Sequence, residues 1–197
     1  MTCLIQANNF HSEAGGELQV VLRHTLTVTP VGELSLVAQG DFLVGVYFPD
    51  HHPAPGVQDL GVWVSPADSV LSAAADQIHE FLAGERLEFS VPLRLPDSGF
   101  YTEVWRCLQR IPYSAVSTYK EVAQAVGRPR SYRAVGTAVG HNPLSIVVPC
   151  HRVIASDGTL SGYAGGVERK RSLLRLEYRV ARARGLDAQE PDLFTQM

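Results

Sequence analysis

The chain has no apolar stretch long enough to cross a membrane, and its opening, MTCLIQANNF, has neither the basic start nor the sustained apolar core of a secretory signal. Both absences point to a soluble, cytoplasmic protein. Cysteine is scarce: Cys3, Cys107 and Cys150 are odd in number and widely spaced, which suits neither a disulfide framework nor a four-ligand zinc site. At least one thiol is therefore available for reaction. No internal repeat is visible. Basic residues are almost missing from the first half, where residues 1–99 hold 3 Lys/Arg against 12 Asp/Glu.

The 197 residues, 45% hydrophobic and 19% charged, are enough to bury a core in one large domain or two small ones. The net charge of −3 hides a reversal, since residues 100–197 carry 14 Lys/Arg against 8 Asp/Glu. Between 105 and 152, Arg106, Arg110, Lys120, Arg128, Arg130, Arg133 and Arg152 meet only Glu121. Such a cluster gains affinity for phosphates by releasing counterions. Charge alone is equally compatible with an ordinary solvated basic face.

The first third reads as short strands at 19–22, 25–29, 33–38 and 42–48, punctuated by glycine and proline, and a small antiparallel sheet is expected. The segment DHHPAPGVQDLGVWVS, 50–65, is a loop in which adjacent His51 and His52 are expected to face solvent and not to bind a metal. Pro66 opens an amphipathic helix that stops near Gly84. A linker, VPLRLPDSG, precedes a helical pattern of Phe100, Val104, Trp105 and Leu108.

Thr118 and Glu121 then form a capping-box pattern, Gly127 is a helix stop and Ser131 is placed to cap a second helix. Two short helices joined by a glycine-containing turn make a helix-turn-helix candidate. The small residues Ala134, Gly136, Thr137, Ala138 and Gly140 either admit a close partner or pack on the preceding helix. A last helix spans about Val167 to Ala183 after the turn GYAGG, and the chain beyond Gly185 reads as a flexible tail. The expected fold class is α/β of the α+β kind: a small amino-terminal antiparallel sheet with a helix (1–95), a mainly helical carboxy-terminal domain with a helix-turn-helix (96–185), and the tail (186–197).

Within IVVPCHRVI, Cys150 stands beside His151 and Arg152, an electropositive setting that favours the nucleophilic thiolate. Neighbours on a strand point to opposite faces, so adjacency does not make His151 the base. Local physics leaves a buried structural cysteine equally open.

The motifs PCHRVI (149–154), RAVG (133–136), Asn142-Pro143 and GYAGG followed by LLRLE make residues 100–177 resemble the methylated-DNA–protein-cysteine methyltransferase family, also called O6-alkylguanine-DNA alkyltransferases. The preceding sheet-and-helix region resembles the family's amino-terminal domain. The resemblance implies irreversible transfer of a methyl or other alkyl group from O6 of guanine to Cys150, once per molecule and without cofactor or metal; O4 of thymine stays open as a second lesion. His151 takes the thiol proton through a water, Glu177 orients His151, and Asn142 braces the turn before the cysteine. Tyr119, Val153, Tyr163 and Ala164 line the base pocket, and Arg133 fills the stack when the base is extruded. The second helix enters the minor groove, with Ala134, Gly136, Thr137, Arg128 and Arg152 as DNA contacts. The implied partner is double-stranded DNA containing O6-alkylguanine, met by a monomer that is cytoplasmic, or nucleoid-associated in a bacterium.

Local chemistry also keeps simpler readings of Tyr119, as filler of its helix turn, and of Glu177, as a surface carboxylate. The chain departs from the family pattern in places. Ser114 stands where glycine is common, Thr118 and Ala164 replace serines, and Ser161 stands where some relatives have glycine. Cys3, His24 and His79 do not complete the zinc set found in some relatives. A non-enzymatic lesion sensor would share the helix-turn-helix yet replace the cysteine. A transcription factor leaves PCHR unexplained, and a cysteine hydrolase would turn over repeatedly.

Overall fold

The computed structural model describes residues 21–160 and 162–188. Residues 19–20 of the strand expected at 19–22 lie outside the described residues; Leu22 joins the strand expected at 25–29 in β1 (Leu22–Thr29), followed by β2 (Gly32–Gln39) and β3 (Phe42–Tyr47). Thr29 pairs with Gly32 and Gln39 with Phe42, so both hairpin loops have two residues. Gly40 supplies the positive φ that such a turn needs. The loop after β3 holds a single short helix, α1 (Val57–Leu60), and then β4 (Val62–Trp63). The sheet order is β3-β2-β1-β4. The sheet departs from the expected antiparallel form at one edge, because β4 runs parallel to β1.

Helix α2 (Ser69–Ala83) starts three residues after Pro66, where the Asp68 carboxylate accepts from the N–H groups of Val70 and Leu71. Gly84 ends it in the left-handed conformation. Leu71, Ala74, Ile78, Phe81 and Leu82 recur at helical spacing and are buried, and the helix packs against all three long strands. Each large side chain among them stabilises the fold by about 1.5–3 kcal/mol on burial.

The linker segment is structured. Leu43 donates its N–H to Pro92 O (2.8 Å) and its carbonyl accepts from Arg94 N (3.0 Å). Further along the same edge, Val46 N donates to Pro143 O (2.8 Å) and Ser145 N to Val46 O (3.1 Å). The outer edge of β3 is thereby spent on the segment 92–94 and on residues 143–145 of the second half, which removes an open strand edge. One continuous apolar cluster runs from Leu34 through Trp105 and Val135 to Leu173.

The second half holds α3 (Phe100–Leu108), α4 (Tyr119–Ala125), α5 (Tyr132–Gly140) and α6 (Val167–Ala183), with a two-residue parallel pair of β5 (Ser117–Thr118) and β6 (Val153–Ile154). The capping box is present: Glu121 N donates to Thr118 Oγ1 and Thr118 N to Glu121 Oε2. Gly127, at φ 71°, follows the end of α4. Ser131 precedes α5 without capping it through its side chain, contrary to expectation. Trp105 Nε1 donates to Ala138 O (2.8 Å), which ties α3 to α5.

The departure at Ser114 has a measurable cost. Its φ of 62° is left-handed, and its hydroxyl is buried without a partner, while its N–H donates to Glu177 Oε2 (2.9 Å). Glycine keeps that N–H and adopts the same φ without strain. Ser114→Gly is predicted to raise unfolding stability by roughly 1 kcal/mol, read from urea denaturation; a loss of stability contradicts this account.

Candidate active site

The chain from Leu144 to Ile154 is buried throughout. Cys150, His151 and Arg152 form a single 3-10 turn rather than a strand, so the expected alternation of faces does not apply: Cys150 meets Asn142, while His151 and Arg152 share Glu177. Cys150 is 1% exposed. Its Sγ accepts from Asn142 Nδ2 at 3.0 Å. The same amide group donates to Val148 O (2.9 Å), and Asn142 Oδ1 accepts from Leu144 N (3.1 Å). Asn142 thus links the Leu144 and Val148 backbone to the sulfur, which it also solvates.

The electropositive setting read around Cys150 has a different origin from the one expected. Burial pushes the thiol up, and the Asn142 hydrogen bond, the Lys170 charge and the backbone N–H groups of Cys150 and His151 only partly oppose it. The resting group is a thiol, and a base is required to make it a nucleophile. The cation beside it is Lys170 and not Arg152. Lys170 is fully buried, lies with Nζ 5.9 Å from the Tyr119 ring centre, and is pulled down to about 8 by desolvation against the opposing pull of Cys150.

His151 is also fully buried. Its Nε2 lies 2.8 Å from Glu177 Oε1, while Nδ1 has no partner. Desolvation outweighs the Glu177 charge and holds the ring below its ordinary value, so it is neutral near pH 7. A carboxylate only accepts, so Nε2 carries the proton and Nδ1 a free lone pair. Glu177, from α6, accepts further from Arg152 Nε and Nη2 (3.1 and 2.9 Å) and from Ser114 N. Burial pushes its carboxyl up, but His151 and Arg152 together pull it down to about 2. Glu177 is thus the interior hub of the site, and the alternative of a surface carboxylate is ruled out by its burial.

Arg152 corrects the expectation of a DNA contact. It is 7% exposed, and its guanidinium is engaged by Glu177 and by Ile111 O (2.6 Å). His51, expected in solvent, is buried against Tyr47, and desolvation pushes it down to about 4; His52 alone is exposed. Val153, Tyr163 and Ala164 are buried; Val153 directly follows the cysteine turn, and the Tyr163 hydroxyl feels the charge of Cys150. Tyr119 reaches the Gly162 turn, since a Cβ on Gly162 would stand 3.2 Å from its hydroxyl. Gly136 faces the same ring, with a notional Cβ at 3.9 Å.

On the outer side of α5, Tyr132, Arg133, Ala134 and Thr137 are exposed. Arg128, in the turn between α4 and α5, is exposed and engages Glu103 (3.3 Å) and the Phe100 ring. His79, weighed as a zinc ligand, pairs with Thr27 Oγ1 (3.0 Å). Cys3 and Ser161 lie outside the described residues. Lys170 was missed in the sequence, although Lys170, Leu173, Leu174, Glu177 and Ala181 share one helical stripe of α6, which places two charges among buried positions.

A buried thiol with an amide donor, a histidine anchored by a carboxylate, and an exposed helix carrying arginine together define a thiol-nucleophile protein built on a helix-turn-helix. Two family descriptions match the chain: the DNA-binding domain of 6-O-methylguanine DNA methyltransferase over residues 99–179, and its ribonuclease-like domain over residues 22–95. A Mycobacterium tuberculosis methylated-DNA–protein-cysteine methyltransferase is 42% identical over 149 residues, covering 76% of this chain and 88% of that protein. The Haemophilus influenzae protein of the same name is 34% identical over 175 residues, covering 88% and 96%. The crystal structure of Mycobacterium tuberculosis OGT in complex with DNA superposes with a TM-score of 0.75 at 40% identity, over 80% of this chain and 94% of that one. The chain belongs to the 6-O-methylguanine DNA methyltransferase family.

Two outcomes follow from the Glu177 network. Glu177→Gln leaves the Arg152 cation buried without a counter-charge and should cost about 3–5 kcal/mol in urea denaturation; a loss below about 1 kcal/mol removes the hub role. In acid, His151 has a folded value below its ordinary 6.5, so the unfolded chain takes up a proton that the folded one refuses. Its contribution is complete above 6.5 and is lost as the pH falls below that. The Glu177 contribution is complete above 4.5 and is lost as the pH falls towards about 2. The urea midpoint should hold between pH 7.5 and 6.5 and then fall in these two windows; a midpoint that rises on acidification to pH 5 contradicts the assignment.

Proposed function

We propose that this protein is a methylated-DNA–[protein]-cysteine S-methyltransferase that repairs DNA by direct reversal, moving an alkyl group from O6 of guanine to Cys150 Sγ. The observation that carries the reading is the pairing of a buried, amide-solvated thiol with a neutral histidine whose Nδ1 is unpartnered and whose other nitrogen is fixed by Glu177. A water between Sγ and Nδ1 would carry the thiol proton to His151, with Glu177 stabilising the imidazolium that forms. Sulfur then forms a bond to the alkyl carbon as the carbon–O6 bond breaks, and the electron pair leaves on guanine, which takes a proton. The thioether has no easy way back, so each molecule acts once.

A thiol at 1% exposure cannot reach a base inside a duplex, so the base must be turned out of the stack, at about a few kcal/mol. Arg133, Ala134 and Thr137 on the open face of α5 suit entry into the minor groove, with Arg133 filling the gap and Arg128 near the backbone. Tyr119, Val153, Tyr163 and Ala164 would enclose the base. The division of labour is a sheet unit to about residue 95 and a DNA-binding, thiol-bearing unit over 96–185, acting as a monomer because all the reacting groups come from one chain.

Incubation with duplex DNA carrying one O6-methylguanine tests the reading. The expected result is one methyl per chain on the Cys150 peptide, with guanine restored; binding without a mass change would favour a lesion sensor. Cys150→Ser should abolish transfer and keep binding to the damaged duplex. Arg133→Ala should slow transfer from duplex DNA by roughly tenfold, equivalent to about 1.4 kcal/mol, and leave transfer from the free base O6-benzylguanine unchanged; equal rates on the duplex remove its assigned role.

A further inference from the structure

The turn Tyr163–Gly166, one wall of the proposed pocket, is tied to the sheet of the first half through Arg169 and by direct contacts. Arg169, one turn into α6, donates from Nη1 to Gly165 O (2.7 Å) and to the Asp50 carboxylate (2.7 Å), and from Nε to Val31 O (2.9 Å). Its guanidinium carbon lies 4.6 Å from the Phe48 ring centre. The same corner of the sheet reaches the wall directly. His52 N donates to Ala164 O (3.0 Å), and Phe48 packs edge-on to Tyr163 (6.2 Å between centres). A Cβ on Gly165 would collide with the Phe48 ring, so glycine is what lets the wall seat this closely.

One side chain therefore joins the β1–β2 hairpin, the Phe48–His52 corner and the pocket wall. Arginine suits this because its planar fork satisfies several acceptors at fixed angles, whereas lysine offers a point charge. Asp50 is mostly exposed, and Arg169 holds its carboxyl below the usual range. An exposed ion pair of this sort adds little stability. Its three-way geometry serves placement instead.

We propose that Arg169 is a positioning residue for base capture, fixing the Tyr163–Gly166 wall on the Phe48–His52 corner so that the extruded base meets Cys150 in register. This rests on the alkyl-transfer reading. Misplacing a reacting group by about 1 Å costs on the order of a hundredfold in rate. In single-turnover assays, Arg169→Ala should lower the limiting rate at saturating alkylated duplex by about tenfold to a hundredfold. The DNA concentration giving half that rate, and the rate at which Cys150 reacts with iodoacetamide, should stay as in the wild type. Arg169→Lys, which keeps the Asp50 pair, should recover part of the rate. If Arg169→Ala does not fold, Asp50→Ala and Arg169→Lys carry the same comparison.

Amide exchange reads the brace itself: the amides of His52 and Gly166 should exchange faster in Arg169→Ala while those of α3 stay protected. A limiting rate within twofold of the wild type, an equal loss of iodoacetamide reactivity, or unchanged exchange at His52 and Gly166 overturns the proposal. A wild-type protein that takes up no methyl group overturns the repair reading alone, and faster exchange in the variant would then still uphold the brace.

Discussion

A single buried negative charge organises this molecule's chemistry. The Glu177 carboxylate sits on the inner stripe of α6 and is answered by the Arg152 cation, the His151 ring and the Ser114 N–H. Those three groups come from two separate stretches of chain and the carboxylate from a third, so satisfying it fixes the α3–α4 connection, the cysteine turn and the last helix relative to one another. Leaving any of them unpaired in so dry a place would be expensive, which makes the arrangement close to all-or-none. The reactive thiol inherits its geometry from a neighbour that never touches it.

The second constraint is backbone pairing along β3. That strand gives its outer edge to residues 92–94 and 143–145, so the sheet of the first half ends against the segment that precedes Cys150. Asn142 adjoins this pairing, and its side chain turns the local order into a hydrogen bond on sulfur. The acidic first half therefore acts as a foundation for a basic second half, and the charge reversal along the chain separates a structural face from one suited to a polyanion.

Much of this was legible in the sequence where the signal is local. The capping box at Thr118 and Glu121, the stop at Gly84, the span of α6 and the hairpins of the sheet all follow from residues a few positions apart. The gathering of Cys150, His151, Asn142 and Glu177 rested on family resemblance, since 26 residues separate His151 from Glu177 and nothing local joins them. What escaped is non-local. Counting cations could not show that Arg152 is turned inward and spent on Glu177, or that Lys170 is the charge beside the thiol. His51 looked solvated because prolines flank it, yet tertiary packing on Tyr47 encloses it. The short β4 has no periodicity to read, and its parallel pairing depends on where β1 already lies.

The burial of Cys150 also bears on how long the group lasts. Oxidants attack thiolates they can reach, and this sulfur rests protonated at 1% exposure. Peroxide or a stray electrophile in solution meets little of the charge and access it needs, so its attack is slowed. On the proposed alkyl-transfer reading, the enclosure that leaves the thiol in need of a base would double as storage, preserving an unspent nucleophile through the time before its target arrives.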